Sequence, residues 1–241
     1  MSLQGQRVLV IGGDSGIGKA IAAGALREGA SVVVASTSAE KVAATAAELG
    51  AGAAAATLDV TNEAGVADYF AGAGGFDHIA FTAGDWAMPP PGPLTELDLG
   101  RAASMLNVRF WGAIAVAKHG AASLPPGGSF TITGGMLAHQ PMKGRPLWTA
   151  GAGAIEFLAR GLAVDLAPIR VNCVCPGLIE TEQWAHFPPP YRAALLEMAS
   201  HQLLPGPGTP AEAAQAYLYL MGNAFATGQV LYVEGGGALS R

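Results

Sequence analysis

The sequence predicts an α/β fold of the Rossmann type: one doubly wound parallel sheet, about seven strands, with helices on both faces. Three observations predict it. Short β-branched or apolar runs alternate strictly with alanine-rich helical stretches, the pattern of parallel strands joined by helices. Most of the strand runs lack alternation with polar residues, as expected of strands buried on both faces. No repeat, charge block or linker divides the 241 residues, so residues 1–241 are read as a single domain.

The strands are predicted at 7–11, 31–36, 54–58, 77–82, 129–133, 169–174 and 229–233. Helices are predicted at about 16–29, 39–49, 62–72, 95–122, 149–166 and 210–222, each opening soon after a strand closes. Two proline-rich segments interrupt the rhythm. Met88-Pro89-Pro90-Pro91-Gly92-Pro93 cannot continue a helix and is read as a loop after the fourth strand. The stretch at about 183–210 holds two further Pro/Gly runs around a short helical piece, and is read as a lid over a substrate pocket.

Composition narrows the function. Hydrophobic residues are 51% and charged residues 13%, enough for a large core, and the net charge of −5 offers no basic footprint for nucleic acid. No apolar run approaches the roughly 18–20 residues of a membrane helix. The N-terminal residues lack the apolar centre of a signal peptide, so a cytoplasmic protein is expected. Cys173 and Cys175 are the only cysteines. They are too few for a structural zinc site and too close for an easy disulfide, so they are read as core thiols and no metal is expected.

After the first strand comes Gly12-Gly13-Asp14-Ser15-Gly16-Ile17-Gly18, leading into a helix. Such a turn lets backbone amides and a helix N-terminus meet a diphosphate. Gly12 allows the turn, Gly16 the close approach of backbone to phosphate, and Gly18 the packing of helix on strand. The end of the second strand, Ser36-Thr37-Ser38, lacks the carboxylate that would bind a ribose 2′-hydroxyl. With Lys41 nearby, this favours NADP(H) over NAD(H).

The G-x-x-x-G-x-G spacing resembles that of the short-chain dehydrogenase/reductase family, and further motifs in the same order extend the resemblance over nearly the whole chain. Asp59-Val60 is similar to the family's adenine-contacting pair, and Ala83-Gly84 to the end of its Asn-Asn-Ala-Gly. Asn107 matches its structural or catalytic asparagine. Pro176-Gly177-Leu178-Ile179-Glu180-Thr181 matches the clasp that holds nicotinamide and phosphate in the family, where Pro176, Gly177, Ile179 and Thr181 would touch cofactor. The resemblance implies an NADP(H)-dependent oxidoreductase acting on a carbonyl- or alcohol-type small molecule. It also implies a homo-oligomer, dimer or tetramer, formed through helices near 102–122 and 149–166.

The family's catalytic serine, tyrosine and lysine have no counterparts here. The serine position falls on Gly134 or Gly135, with Thr133 the nearest hydroxyl. Trp148 takes the tyrosine position and Ala152 the lysine position, and no tyrosine occurs between Tyr69 and Tyr191. An indole N–H donates a hydrogen bond but is no acid at neutral pH. A proton would then come from elsewhere, with His139 and Lys143 as candidates on the loop 138–147, or from Arg145 or water. Arg109 is expected to point away from the side of Asn107. A pocket wall of Asp85, Trp86, Met136, Trp148, Trp184 and Phe187 is expected. Two other outcomes remain open: an NADP(H)-binding protein without redox turnover (a sensor, isomerase or cyclase), and a subunit lending an interface to an active sibling.

Overall fold

Arg7–Ile11 (β1) is buried along almost its whole length and lies at the centre of a parallel sheet. The computed structural model describes residues 2–84 and 92–240 of the chain. Among these, β2 (Ser31–Ser36), β3 (Ala53–Thr57), β4 (His78–Phe81), β5 (Ser129–Thr133), β6 (Arg170–Pro176) and β7 (Val230–Val233) complete the sheet in the order β3-β2-β1-β4-β5-β6-β7. Every pairing is parallel. The order reverses between β1 and β4, the place where open α/β sheets hold ligands beyond the carboxyl ends of their strands. The edge strand β3 departs from the buried pattern: its alanines are half-buried or exposed, since no strand covers its outer side.

One apolar layer packs the sheet against α3 (Glu63–Ala73), α5 (Ala113–Gly120) and α6 (Pro146–Asp165). The other packs it against α1 (Gly16–Arg27), α2 (Ala39–Leu49) and α8 (Pro210–Gly222). Small residues set the spacing. A Cβ on Gly24 of α1 would come within 2.6 Å of Leu218 on α8, so the two helices pack through that glycine. Thr209 and Glu212 form a reciprocal capping box at the start of α8.

The helix predicted at 95–122 is not one helix. After a 3₁₀ turn, Leu99–Ala102 (α4) passes through 3₁₀ turns into a π-helical stretch, Asn107–Gly112, and only then into α5. Gly112 lies so near β3's following loop that a Cβ there would approach Val60 at 2.6 Å. The region at about 183–210 contains most of a 3₁₀ turn, Glu182–His186, and a full helix, α7 (Pro189–Ser200), longer than the short piece expected. Asp85, Trp86 and most of the first proline-rich segment lie outside the described residues.

Two buried polar groups tie the sheet's lower edge. Arg170 donates to the carbonyls of Leu220 and Met221 at the end of α8, at 2.6 and 2.8 Å. His78, 3% exposed, sits between Ser129 Oγ at 2.8 Å and Gln6 Oε1 at 3.1 Å. Burial first, and then the Arg170 charge, hold its pKa down at about 4. The ordinary value of about 6.5 applies once the chain unfolds. Below that pH the unfolded state binds a proton that the native state refuses. Stability from this residue is therefore full above about pH 6.5 and is lost as pH falls towards 4, by something of the order of 3 kcal/mol. Urea melts between pH 7.5 and 4.5 are expected to show this fall, and His78→Gln to flatten it. An equally steep fall in the variant would place the acid sensitivity elsewhere.

Candidate functional site

The glycine turn joins β1 to α1. Gly12 and Gly16 take left-handed backbone angles, φ +83° and +50°, which side chains disfavour. A Cβ on Gly12 would lie 2.6 Å from Ala83 N, and one on Gly18 would collide with the Gly12 carbonyl oxygen. Thr82 Oγ1 donates to the carbonyls of Ile11 and Gly12 at 3.0 and 3.1 Å, locking the turn to the end of β4. Ser15 is the N-cap of α1 but its side chain makes no capping bond. Ile17 is half-buried in the first turn, and Asp14 is held through its carbonyl by Thr45 Oγ1 at 3.1 Å. Between them these residues make a cradle that any added side chain would fill, which fits a diphosphate approached by backbone.

At the end of β2, Ser38 N–H donates to Ser36 Oγ at 3.3 Å, and Ser38 Oγ accepts from Lys41 N–H, capping α2. Thr37 and Lys41 are exposed beside them. At the next strand end, Asp59 is exposed and its carboxylate accepts from Thr61 N–H and Oγ1 at 2.9 and 2.7 Å, with Val60 buried beneath. Across the crevice, β6 ends in Pro176, and a Cβ on Gly177 would strike Glu234. Ile179 is buried and bridged to Gly208. Thr181 comes over the glycine turn, its methyl 3.0 Å from where a Gly16 Cβ would be. Glu182 Oε2 then accepts from Gly16 N–H at 2.9 Å.

The two candidate serine positions differ. A side chain at 134 would run into the sulfurs of Cys175 and Cys173, at 2.7 and 2.9 Å, whereas one at 135 would stand in open space. Thr133 is turned inward, donating to Phe81 O at 2.7 Å and paired with Tyr217 OH at 2.6 Å, so its hydroxyl is committed to the core. Met136 is buried. Ala152 is half-buried on α6.

Arg109 is where the expectation fails. Its guanidinium reaches the carboxyl ends of β4 and β5: Nη1 donates to Gly134 O at 3.4 Å, and a Cβ on Gly84 would overlap Nη2. Asn107 is the exposed one of the pair. The 3₁₀-to-π passage alters the winding here, so a phase carried along at 3.6 residues per turn does not tell which of the two reaches the strand ends. Unbroken helical periodicity gave no sign of it.

His139 is exposed at the surface end of a polar cluster. Its Nε2 lies 2.9 Å from Glu156 Oε2 and is also bonded to Tyr232 OH, which donates to Glu156 Oε2 at 3.2 Å. Glu156 is 3% exposed and also accepts from Cys175 Sγ at 3.4 Å. The Cys175 thiol is pushed well above its ordinary pKa, chiefly by its bond with Cys173 and then by burial, which suits an inert core thiol. Lys143 is exposed on the same loop.

Around Trp148 the structure gathers aromatic and basic side chains. Arg145 stacks between the rings of Trp148 and Tyr191, its Cζ 5.7 and 5.9 Å from their centroids, and Phe187 meets Tyr191 edge-on at 5.1 Å. Trp148 and Arg145 line a cavity of about 220 Å³ bounded on its other side by Gly92–Leu94, Glu96–Asp98 and Arg101. Met136, Trp184 and Phe187 do not line it; Trp184 is buried in the 3₁₀ turn Glu182–His186. Tyr191, which joins lid to wall, had no motif to reveal it.

The family model described as "Enoyl-(Acyl carrier protein) reductase" matches residues 11–237. This chain is a short-chain dehydrogenase/reductase. Among the relatives of this oxidoreductase family it is 35% identical to the short-chain dehydrogenase/reductase ucsE of an Acremonium species, over 99% of this chain and 97% of that one. It is 33% identical to malC of Malbranchea aurantiaca, over 97% and 95%. The structure described as MalC Reductase/Diels-Alderase superposes with a TM-score of 0.89 over 98% of each chain, at 32% identity. A small-chain dehydrogenase in complex with NADPH superposes at 0.83, with 33% identity, over 98% of this chain and 100% of that one. No described helix of this short-chain dehydrogenase/reductase is long and apolar enough to cross a membrane.

Proposed function

We propose that this chain is an NADP(H)-dependent reductase of a carbonyl-type small molecule, in which Arg109 faces the charge developing on the substrate oxygen. The observation that carries this is the guanidinium set between Gly84 and the Gly134 carbonyl, at the strand ends beside the crevice. In this reading Trp148 and Ala152 stand where the family has tyrosine and lysine, and Gly135 where it has serine.

NADPH would be held by the glycine turn, by Asp59 and Val60 at the adenine, by Ala83 and Gly84, and by the 176–181 clasp; when bound it supplies the hydride. Ser36, Thr37, Ser38 and the α2 N-terminus offer hydroxyls and amides to a 2′-phosphate, with Lys41 adding positive charge against Glu40 in the same helical turn. A relative described as an NADPH complex supports the same choice. Arg109 keeps its charge at any working pH, and its planar fork suits an oxyanion or enolate oxygen. The proton comes from the 138–147 loop or from water, with His139, backed by Glu156, and Lys143 as the side-chain candidates. A missing general acid typically costs about 10²–10⁴-fold, which leaves a working but slow reductase.

A second reading, a non-redox cyclase or isomerase on the same cofactor site, is favoured by the absence of phenol and amine from the start of α6. Likeness to a protein described as both reductase and Diels-Alderase supports it too. Exposed Phe157 and Val164 on α6 and Trp111 nearby, at 69%, 82% and 59%, support a homo-oligomer through these helices.

Titration with NADPH and NADH followed by a panel of ketones, imines and enones at 340 nm tests the choice. Saturable binding with tighter NADPH, and turnover of at least one carbonyl class, is expected. No binding at millimolar cofactor removes both readings; saturation without turnover leaves the second.

A further inference from the structure

We infer that Glu182 is a built-in occupant of the diphosphate cradle, which cofactor must displace, and that it thereby links cofactor arrival to release of the lid. The inference rests on the cofactor reading above.

Three observations meet at this point. Gly16 has the left-handed turn and the close backbone approach that a diphosphate needs, and its N–H is a donor at the mouth of α1. That N–H is taken, at 2.9 Å, by a carboxylate oxygen from a residue 166 positions away in sequence. Thr181, immediately before it, closes on the same glycine. An acceptor oxygen carrying negative charge is what a helix N-terminus selects, so the Glu182 carboxylate imitates a phosphate oxygen in charge and in bonding. Both cannot use the same N–H, and a carboxylate left beside a diphosphate would repel it.

Glu182 is also the first residue of the 3₁₀ turn Glu182–His186, which feeds α7. The lid therefore starts at the group that must move. Arg192 of α7 meets Glu180 at 2.9 Å, so the next charged residue back along the clasp is also tied to the lid. When Glu182 leaves Gly16, the lid loses its anchor on the glycine turn while its Glu180 tie remains. The lid then pivots rather than detaching. Glu182 is exposed and far from the apolar layers, so its replacement leaves the fold intact.

The test is binding, read by quenching of tryptophan fluorescence or by calorimetry, with Glu182→Gln and Glu182→Ala against the unaltered chain. Both variants are expected to bind NADPH about tenfold more tightly, because a charge-assisted hydrogen bond commonly weighs at least that much in a binding constant. Adenosine 2′-monophosphate, which has no diphosphate, should bind all three proteins alike. Trypsin digestion should cut within 187–201 faster in the variants without cofactor, and NADPH should bring the unaltered chain up to their rate. Equal or weaker NADPH binding by both variants overturns the inference while leaving the cofactor reading intact. Tightening of adenosine 2′-monophosphate by the same factor also overturns it, since the effect would then be general charge. If no protein of the three binds NADPH, the cofactor reading itself fails.

Discussion

Arg109→Ala is expected to lower kcat for carbonyl reduction by about 10²–10³-fold, the usual cost of removing one donor aimed at a developing oxyanion. NADPH affinity should change by less than about threefold, since backbone at the glycine turn and the clasp carries most of the grip in this reading. Steady-state rates at 340 nm and a separate fluorescence titration distinguish the two effects. Arg109→Lys should recover part of the rate: the ammonium keeps the charge but loses the planar fork. The guanidinium's bond to Gly134 O is long, at 3.4 Å, and a thermal melt of the variant shows whether the strand ends keep their packing without it. A variant with alanine at 109 that turns over at the normal rate would transfer the oxyanion role to another group, and would make the non-redox reading the stronger one.

Gly18→Ala is expected to abolish NADPH binding in the submillimolar range, a loss of at least about 10²-fold, because the diphosphate cradle cannot keep its shape. The added methyl group would collide with the Gly12 carbonyl and lie 2.6 Å from Thr82 Oγ1. Relief requires moving either the glycine turn or the end of β4, and Thr82 bonds both together. The change also strains packing at the centre of the sheet, so a fall in melting temperature of several degrees should accompany it. Calorimetry and a thermal melt on the same preparation check both. Ordinary cofactor affinity in Gly18→Ala would mean that the turn tolerates the shift and that phosphate binding does not depend on its closeness.

Of the segments in the proposed site, the glycine turn was legible from local pattern, while Asp59-Val60 and 176–181 were marked by their resemblance to the family's motifs. The glycine turn, the Asp59-Val60 pair and the 176–181 clasp are short segments whose shape follows from glycine, proline and strand termination within a few residues. The alternation of apolar runs with alanine-rich helices likewise marked the sheet, and β1, β2 and β5 fall where it put them. The stretch 95–122 was misread as one helix because periodicity reports which residues are apolar and not how tightly the backbone winds. Its π-helical portion follows from packing, with Gly112 pressed against Val60.

Gly134 and Gly135 show the same boundary. In sequence they were equivalent candidates; in space one is blocked by the two cysteine sulfurs and the other faces an opening. Cysteine spacing also predicted core thiols, yet nothing in it announced Glu156, His139 and Tyr232 gathered beside them from an α6 turn, a loop and β7. No local pattern announced Glu182, since its hydrogen bond joins residues 166 apart.

What the chain's order of residues determined, unaided, was the parallel sheet and the tight glycine turn after its first strand, because each depends on contacts between near neighbours or on the twist that all strands share. What only the folded molecule decided was which charged side chains point into the crevice. Arg109 and Glu182 arrive there by helix winding and by the return of a distant loop. Those are set by packing across the whole domain, and no local run of residues encodes them.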